Sequence, residues 1–517
     1  MNRSSATGTR RRVIDQDLRP SIVDAANFLL ATRDTGYRSS PQAVAEFIDN
    51  AIQAGALNIH VQVSQSSDRS LPLELTITDD GRGMSAAELT KALTFGGSLR
   101  FADRAFLGRY GMGLPNGALS QARRVEVYSW QGRDVLWTRL DIDELTTSGA
   151  TELPPIEIAP DLPFTPMTPS GTVVRLLRCD RLEYKRTGWL TRRLEDELGR
   201  IYRRFIDAGV TLVVNRQQVT AIDPLFLQVG SRATGGTLFG DELTYKLKGL
   251  RGSGQVRVRF SELPIDRWHS MSSEQKRDLG IIGAPTISVL RADREIDRGW
   301  FFMGQKRHEN YDDWWRCEVN FSPELDEMFG ITHSKQAIVP ADELLRVLVP
   351  DLEGIARALN SRVRQRFELA KARAPLGEAE RQAGRAERSL PALPPHRRTV
   401  PDALSALVAR IEEGLSDTHS PYRIVATELP TTGAFEIVNR DEGLLVLLNS
   451  RHPLYRDLYG PLAASDSGRD QEIAKQVALS LLAAARAEVS TWSGRGEAEG
   501  RAFRQTWADV LATFFNA

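Results

Sequence analysis

Glu46 and Asn50 stand four residues apart in the run Glu46-Phe47-Ile48-Asp49-Asn50. On a helix that spacing is one turn, so a carboxylate and a carboxamide project side by side from a rigid support. The pair suits activation of water beside a hard metal ion. The carboxylate can take a proton, and the amide carbonyl can serve magnesium, which keeps several waters and needs few protein ligands. Further along comes Asp79-Asp80-Gly81-Arg82-Gly83-Met84. An ionised Asp79 only accepts hydrogen bonds, which matches the exocyclic amino group of adenine, while Gly81 and Gly83 let backbone approach a ring closely. Gly108-Arg109-Tyr110-Gly111-Met112-Gly113 then leads into Leu114 to Gln121. A glycine-rich loop entering a helix offers backbone amides to phosphate.

The elements that must position these groups follow from local pattern. Pro41 to Ala54 reads as a helix, with Ser39 or Ser40 as N-cap and Val44, Phe47, Ile48, Ala51 and Ile52 as its apolar stripe; Pro at the first turn already has the helical φ. Glu46 and Asn50 fall off that stripe. Leu73 to Thr78 alternates apolar and polar residues, as a half-buried strand does, and delivers Asp79 at its end. Arg124 to Trp130 and Gly171 to Leu176 read as two more strands, the second opening on Gly171-Thr172.

This order of four motifs resembles the GHKL superfamily of gyrase B, heat-shock chaperones, histidine kinases and MutL, whose ATP site joins an N-box, an Asp-x-Gly-x-Gly box, a glycine lid and a Gly-Thr box. The resemblance implies Glu46 as general base and Asn50 as the magnesium ligand. It implies Asp79 as the adenine contact, with Gly83 and Met84 beside the base and Thr172 nearby, commonly through water. Gly108, Gly111, Met112, Gly113 and Leu114 would form the phosphate-binding lid. Gly108 to Gly117 also looks like the lid of microrchidia (MORC) ATPases, nearest the bacterial MORC-like members, and Thr332-His333-Ser334-Lys335-Gln336 resembles their second-domain lysine motif. The role that this implies for Lys335 is contact with the γ-phosphate.

The implied fold is α+β: a Bergerat-type sandwich of helices on a mixed sheet over residues 21–225, a transducer domain with a left-handed βαβ unit over 226–375, a linker over 376–400 and a small α+β domain over 401–517. Residues 1–20 read as a polar, basic arm of the kind that is usually disordered; in several GHKL dimers the corresponding segment crosses to the partner subunit on ATP binding, so the resemblance implies a strand-exchange arm as the alternative. The implied activity is magnesium-dependent ATP hydrolysis as a conformational switch. Its form would be an ATP-gated homodimeric clamp on DNA, in a bacterial setting serving DNA surveillance or phage defence; the alternative is a chaperone-like ATPase acting on protein partners, with residues 401–517 as a further contact region. A sensor kinase is disfavoured, because its phosphoacceptor His would precede the N-box and the first histidine here is His60.

Composition bounds the rest. The 517 residues carry 67 Lys+Arg against 67 Asp+Glu, so no global field draws the chain to nucleic acid or membrane. A hydrophobic fraction of 41% with 26% charged residues is ordinary for a globular protein of several domains. Cys179 and Cys317 have no metal-ligand spacing, which predicts buried free thiols in a reducing compartment. With no apolar run of signal or spanning length, a cytoplasmic location is expected. Trp189 to Ala208 reads as one long helix, and Leu344 to Ala372 as helical with a break near Val349 imposed by Pro350. The aromatics Trp300, Phe301, Phe302, Tyr311, Trp314 and Trp315 read as core packing or a seam rather than a base-stacking surface. Tyr422 to Glu428 and Gly443 to Asn449 read as strands, and Gln471 to Val489 and Gly500 to Phe515 as helices.

Overall fold

The computed structural model describes residues 25–516 apart from 35, 38, 98–111, 149–151, 232, 251, 332–336, 394–399, 401, 415–420, 441–442 and 493. The chain divides into two compact units, one running to Leu263 and resuming over Ser273–Ala356, the other comprising Pro264–Ser272 and the chain from Arg357.

The first unit opens with helices α1 (Ala25–Asp34) and α2 (Ser40–Gln53) and strands β1 (Asn58–Gln65) and β2 (Leu73–Asp79). Then come α3 (Ala86–Ala92), α4 (Gly113–Gln121), β3 (Arg124–Gln131), β4 (Val135–Asp141), α5 (Ile142–Ser148), β5 (Glu157–Ile158) and β6 (Ser170–Leu177). Helices α6 (Thr187–Ile201) and α7 (Arg203–Asp207) precede β7 (Thr211–Val214) and β8 (Gln217–Gln218). The strands form one sheet in the order β5-β4-β3-β6-β2-β1-β7-β8. All its pairings are antiparallel except that of β1 with β7.

Alternation decides which face is covered. Ile59, Val61 and Val63 of β1 and Leu73, Leu75 and Ile77 of β2 point to one side. There they share a core with Val44, Phe47, Ile48 and Ala51 of α2, Leu114, Ala118 and Leu119 of α4, and Leu190, Leu194 and Leu198 of α6. Each buried Val, Leu, Ile or Phe here contributes about 1.5–3 kcal/mol by leaving water. The result is the expected α+β sandwich of helices on a mixed sheet. Asp79 has the same parity as Leu75 and Ile77, so β2 aims it toward the helix layer.

The sequence suggested a single helix where α6 and α7 stand. Tyr202 separates them with φ −103° and ψ 14°, and its hydroxyl lies 2.6 Å from the Ala45 carbonyl and 2.7 Å from the Asp49 carboxylate. Those bonds fix Tyr202 in a geometry that a straight helix would not provide.

The second sheet of this unit contains β9 (Thr237–Leu238), β10 (Leu243–Gly249), β11 (Gly252–Glu262), β12 (Ile287–Arg291), β13 (Arg294–Gly299) and β14 (Trp315–Phe321). Its order is β10-β11-β14-β12-β13, with β9 on β11. β14 runs parallel to β12 and antiparallel to β11, and every residue of it is buried. Phe302, Trp314 and Trp315 are buried, and Trp300 packs edge-on to His308, so these aromatics serve packing. Cys317, in the middle of β14, and Cys179, in the core under the first sheet, are free and buried.

The helix Asp342–Ala386 runs unbroken through Pro350, where a break was expected. Leu344, Leu348, Leu352, Ala356, Leu359 and Val363 form a fully buried stripe along it, whereas Pro350 is exposed. The carbonyl that Pro350 cannot satisfy therefore faces water, and burial of the opposite stripe holds the helix together. Residues 376–386, read as the start of a linker, belong to this helix, with Leu376 and Ala379 buried.

In the second unit β15 (Tyr422–Thr427), β16 (Phe435–Arg440) and β17 (Gly443–Asn449) form a sheet in the order β15-β17-β16. β17 is buried on both faces: Leu444, Val446 and Leu448 enter one core, Leu445 and Leu447 another. Helices Asp402–Gly414, Gly468–Thr491 and Glu497–Asn516 belong to the same unit, the first supplying Leu404 and Val408 to the second core. His452 is structural here, its Nδ1 accepting from the Leu454 amide at 3.1 Å and its Nε2 lying 3.1 Å from the Ala508 carbonyl. Among the described residues no helix is long and apolar enough to cross a membrane.

Candidate nucleotide-binding site

α2 starts where the sequence indicated. Ser39 is the N-cap and accepts from the Gln42 amide, and Ser40 donates to Gln121 Oε1 at 2.8 Å, tying α2 to the end of α4. Glu46, on the next turn, is only 3% exposed. The reason lies in α4: a Cβ placed on Gly113 would meet Glu46 Oε2 at 2.4 Å, and one on Gly117 would meet Phe47 Cζ at 3.4 Å and Glu46 Cβ at 3.6 Å. Glycine at 113 is thus what lets the Glu46 carboxylate lie against the first residue of α4. That helix has Met112 at its N-cap position and no side-chain cap, and Leu114 is buried beneath it. An uncapped helix start presents free amides and positive dipole to an anion. Gly108, Gly111 and Lys335 lie outside the described residues.

Glu46 belongs to a buried polar cluster that spacing could not reveal. The Tyr37 hydroxyl hydrogen-bonds to its carboxylate, and burial, reinforced by that charge, pushes the phenol far above its ordinary range. Asp49, 0% exposed on the same turn of α2, accepts from Arg294 Nε at 3.2 Å as well as facing Tyr202. Burial works against the Arg294 cation, but Asp49, Tyr202 and Glu46 outweigh it and hold the guanidinium above its usual value. Asn50, the residue after Asp49, is half-buried.

Asp79 closes β2 opposite Thr172 of β6. Its Oδ1 accepts from the Gly81 amide at 2.9 Å, and a Cβ on Gly81 would come within 2.8 Å of that oxygen. Burial raises the Asp79 carboxyl to about 6, against the lowering effect of the Gly81 amide. Gly83 has φ +68°, and a Cβ there would sit 2.1 Å from the Trp130 carbonyl oxygen; only glycine fits. Ser129 ties this corner together. Its fully buried hydroxyl accepts from the Met84 amide at 2.8 Å, donates to the Gly171 carbonyl at 3.1 Å and lies 3.2 Å from Thr172 Oγ1. The next residue after Asp79 has a different job: burial works against the Asp80 carboxylate, but it accepts from the Asn58 side chain and from the backbone amides of Asn58 and Leu57, which together hold its carboxyl below the ordinary range. Arg82 pairs with Glu88 at 2.8 Å.

Two groupings therefore stand: Glu46, Asp49, Asn50, Met112, Gly113 and Leu114 where α2 meets α4, and Asp79, Gly83, Met84 and Thr172 around the ends of β2 and β6. Tyr37, Ser129, Tyr202 and Arg294 join them from sequence positions carrying no motif. Among the described residues no cluster of three or more His, Cys, Asp or Glu could hold a metal ion. Magnesium bound through one amide carbonyl, phosphate oxygens and water needs no such cluster, so Asn50 beside Glu46 fits that ion.

Residues 37–171 match the family described as histidine kinase-, DNA gyrase B-, and HSP90-like ATPase. Three relatives are similar over part of this chain. ATPase morc-1 of Caenorhabditis elegans is 34% identical over 99 residues, which is 19% of this chain and 11% of the relative. MORC family CW-type zinc finger protein 1 of Mus musculus is 37% identical over 78 residues, covering 15% and 8%. ATPase MORC2 of Homo sapiens is 32% identical over 91 residues, covering 17% and 9%. The matched stretch is thus about a tenth of each relative's length. With the helix-on-mixed-sheet architecture, these likenesses identify residues 37–171 as a GHKL ATPase domain and make the chain a relative of the MORC ATPases.

Proposed function

We propose that the chain binds and hydrolyses magnesium-ATP and uses the cycle as a conformational switch. The observation that carries this reading is the Glu46 carboxylate, buried and set against Gly113 at an uncapped helix start. A base held beside a phosphate-binding amide cluster is the arrangement that hydrolysis of a terminal phosphate requires.

In this reading Asp79 accepts the adenine amino hydrogens, with Gly83 and Met84 against the ring and Thr172 close by. The backbone of Gly108, Gly111, Met112, Gly113 and Leu114 contacts the phosphates, and Asn50 holds magnesium through its carbonyl. The metal supplies positive charge to the triphosphate. Glu46 orients a water and takes its proton as that oxygen attacks the γ-phosphorus; the β–γ bridging oxygen leaves with ADP. Lys335 balances charge on the γ-phosphoryl oxygens. Glu46→Ala should lower turnover by about 10²–10⁴-fold while nucleotide binding persists, and Asn50→Ala should impair both. Turnover at the parent rate in Glu46→Ala protein refutes the assignment.

The switch we propose is an ATP-gated homodimer that closes on DNA, with DNA surveillance or phage defence as its setting. The helix Asp342–Ala386 supports DNA over the chaperone-like alternative. Arg357, Arg362, Arg364 and Arg373 are exposed on it, and between 357 and 373 Glu368 is the sole acidic residue. Such a helix suits phosphate contacts. Turnover stimulated by duplex DNA and suppressed by salt supports a DNA clamp. Stimulation by unfolded protein with no salt-sensitive DNA affinity supports the chaperone-like reading instead. Sedimentation with a non-hydrolysable ATP analogue tests the dimer.

A further inference from the structure

Arg294 is remote in sequence from every nucleotide motif, yet its guanidinium is buried against the turn of α2 that carries Glu46 and Asn50. It sits at the start of β13, directly after a two-residue hairpin turn in which Ala292 and Asp293 have φ +46° and +68°. Positive φ at both central positions marks a type I′ turn, which Asn or Gly usually fills. Here Asn320 of β14 secures it, donating from Nδ2 to Asp293 Oδ1 at 2.6 Å. The turn delivers Arg294 to Asp49 at 3.2 Å, between Glu46 and Asn50 in sequence.

β13 is bound to the first sheet's helices at other points too. Glu295 pairs with Arg203 of α7, and Arg298 Nη2 lies 3.0 Å from Glu197 of α6. At its far end Asp297 Oδ2 accepts from the Ile338 amide at 2.9 Å, next to the segment that contains Lys335. One strand thus contacts α2, α6, α7 and Ile338.

We infer that Arg294 is a positioning residue for ATP hydrolysis: through Asp49 it fixes the turn of α2 that aims Glu46 and Asn50, and makes turnover conditional on the second sheet's seating against the first. The inference rests on the roles proposed above for Glu46 and Asn50. Removing the guanidinium lets that turn shift, and a displacement of about 1 Å of a reacting group typically lowers rate by about 10²-fold.

The test uses full-length Arg294→Met and the double variant Asp49→Asn/Arg294→Met. The single variant leaves a buried carboxylate uncompensated, so its melting temperature should fall; the double variant removes both charges and should recover it. Turnover number and ADP affinity are then measured at a temperature where both are folded. The expected result is a kcat about 10²-fold below the parent in both variants, with ADP affinity changed less than about threefold. A double variant that recovers both melting temperature and kcat shows Arg294 to be structural only and overturns the inference. Glu46→Ala, run alongside, separates the two failures: loss of turnover there with parent kcat in the double variant sinks the Arg294 role alone, whereas parent turnover in Glu46→Ala sinks the reading beneath it.

Discussion

Gly113→Ala isolates the geometry on which the proposed chemistry depends. The new methyl would sit 2.4 Å from Glu46 Oε2, where ordinary contact begins at 3.4 Å. Gly113 opens α4 without a left-handed φ, so alanine has no backbone penalty and is a better helix former by about 0.5–1 kcal/mol. The perturbation is therefore carried by the carboxylate, which must retreat by about 1 Å, and a shift of that size costs about 10²-fold in rate. At 1.36 kcal/mol per tenfold, this is about 2.7 kcal/mol of transition-state stabilisation. The assay is steady-state phosphate release beside calorimetric ADP binding and a thermal melt. Gly117→Ala is the internal control, since its methyl would meet the Ala43 carbonyl at 3.3 Å and Phe47 Cζ at 3.4 Å, tight but reaching Glu46 only at Cβ. Gly113→Ala turning over within about threefold of the parent, or Gly117→Ala losing as much rate, would refute the argument that the Gly113–Glu46 contact aims the base.

Three further outcomes are expected. Because a bound adenine amino group stabilises ionised Asp79, and that carboxyl sits at about 6 when free, ATP affinity should be complete above pH 6 and weaken as pH falls, by up to about tenfold per unit; fluorescent-nucleotide titrations from pH 5 to 8 measure this, and a flat profile counts against the adenine contact. The same raised value means that ionising Asp79 opposes folding above that pH, with the penalty relieved as pH falls through about 6; Asp79→Asn should therefore melt higher than the parent at pH 8 while losing nucleotide. Ser129→Ala strips the Met84 amide of its acceptor, and should lower stability by about 1–3 kcal/mol in denaturant titrations and weaken ADP binding.

The parts of the site legible in the sequence are those built on local periodicity. The four-residue interval from Glu46 to Asn50, the alternation that ends at Asp79 and the glycines at 83 and 113 express rules acting within one helix, one strand or one tight turn. Tyr37, Ser129, Tyr202 and Arg294 obey no such rule, since their partners are brought together by sheet order and by packing between sheets. Ser129 reaches Thr172 because β3 and β6 are neighbours, and nothing near residue 129 announces that. Continuity through Pro350 was missed for a related reason: a local steric rule yielded to a buried leucine stripe. Strand β16 (Phe435–Arg440) has no local signature of its own and is defined by its antiparallel pairing with β17.

The two thiols give the protein a built-in pair of stopwatches. Burial lifts the Cys179 thiol to about 12 and raises that of Cys317 well above its ordinary range, so neither ionises or meets an alkylating reagent until its surroundings part. One reports on the layer beneath the helices and the other on the centre of the neighbouring sheet. With nucleotide added, their separate modification rates would show whether ligand clamps one layer or both, with no label introduced into the chain.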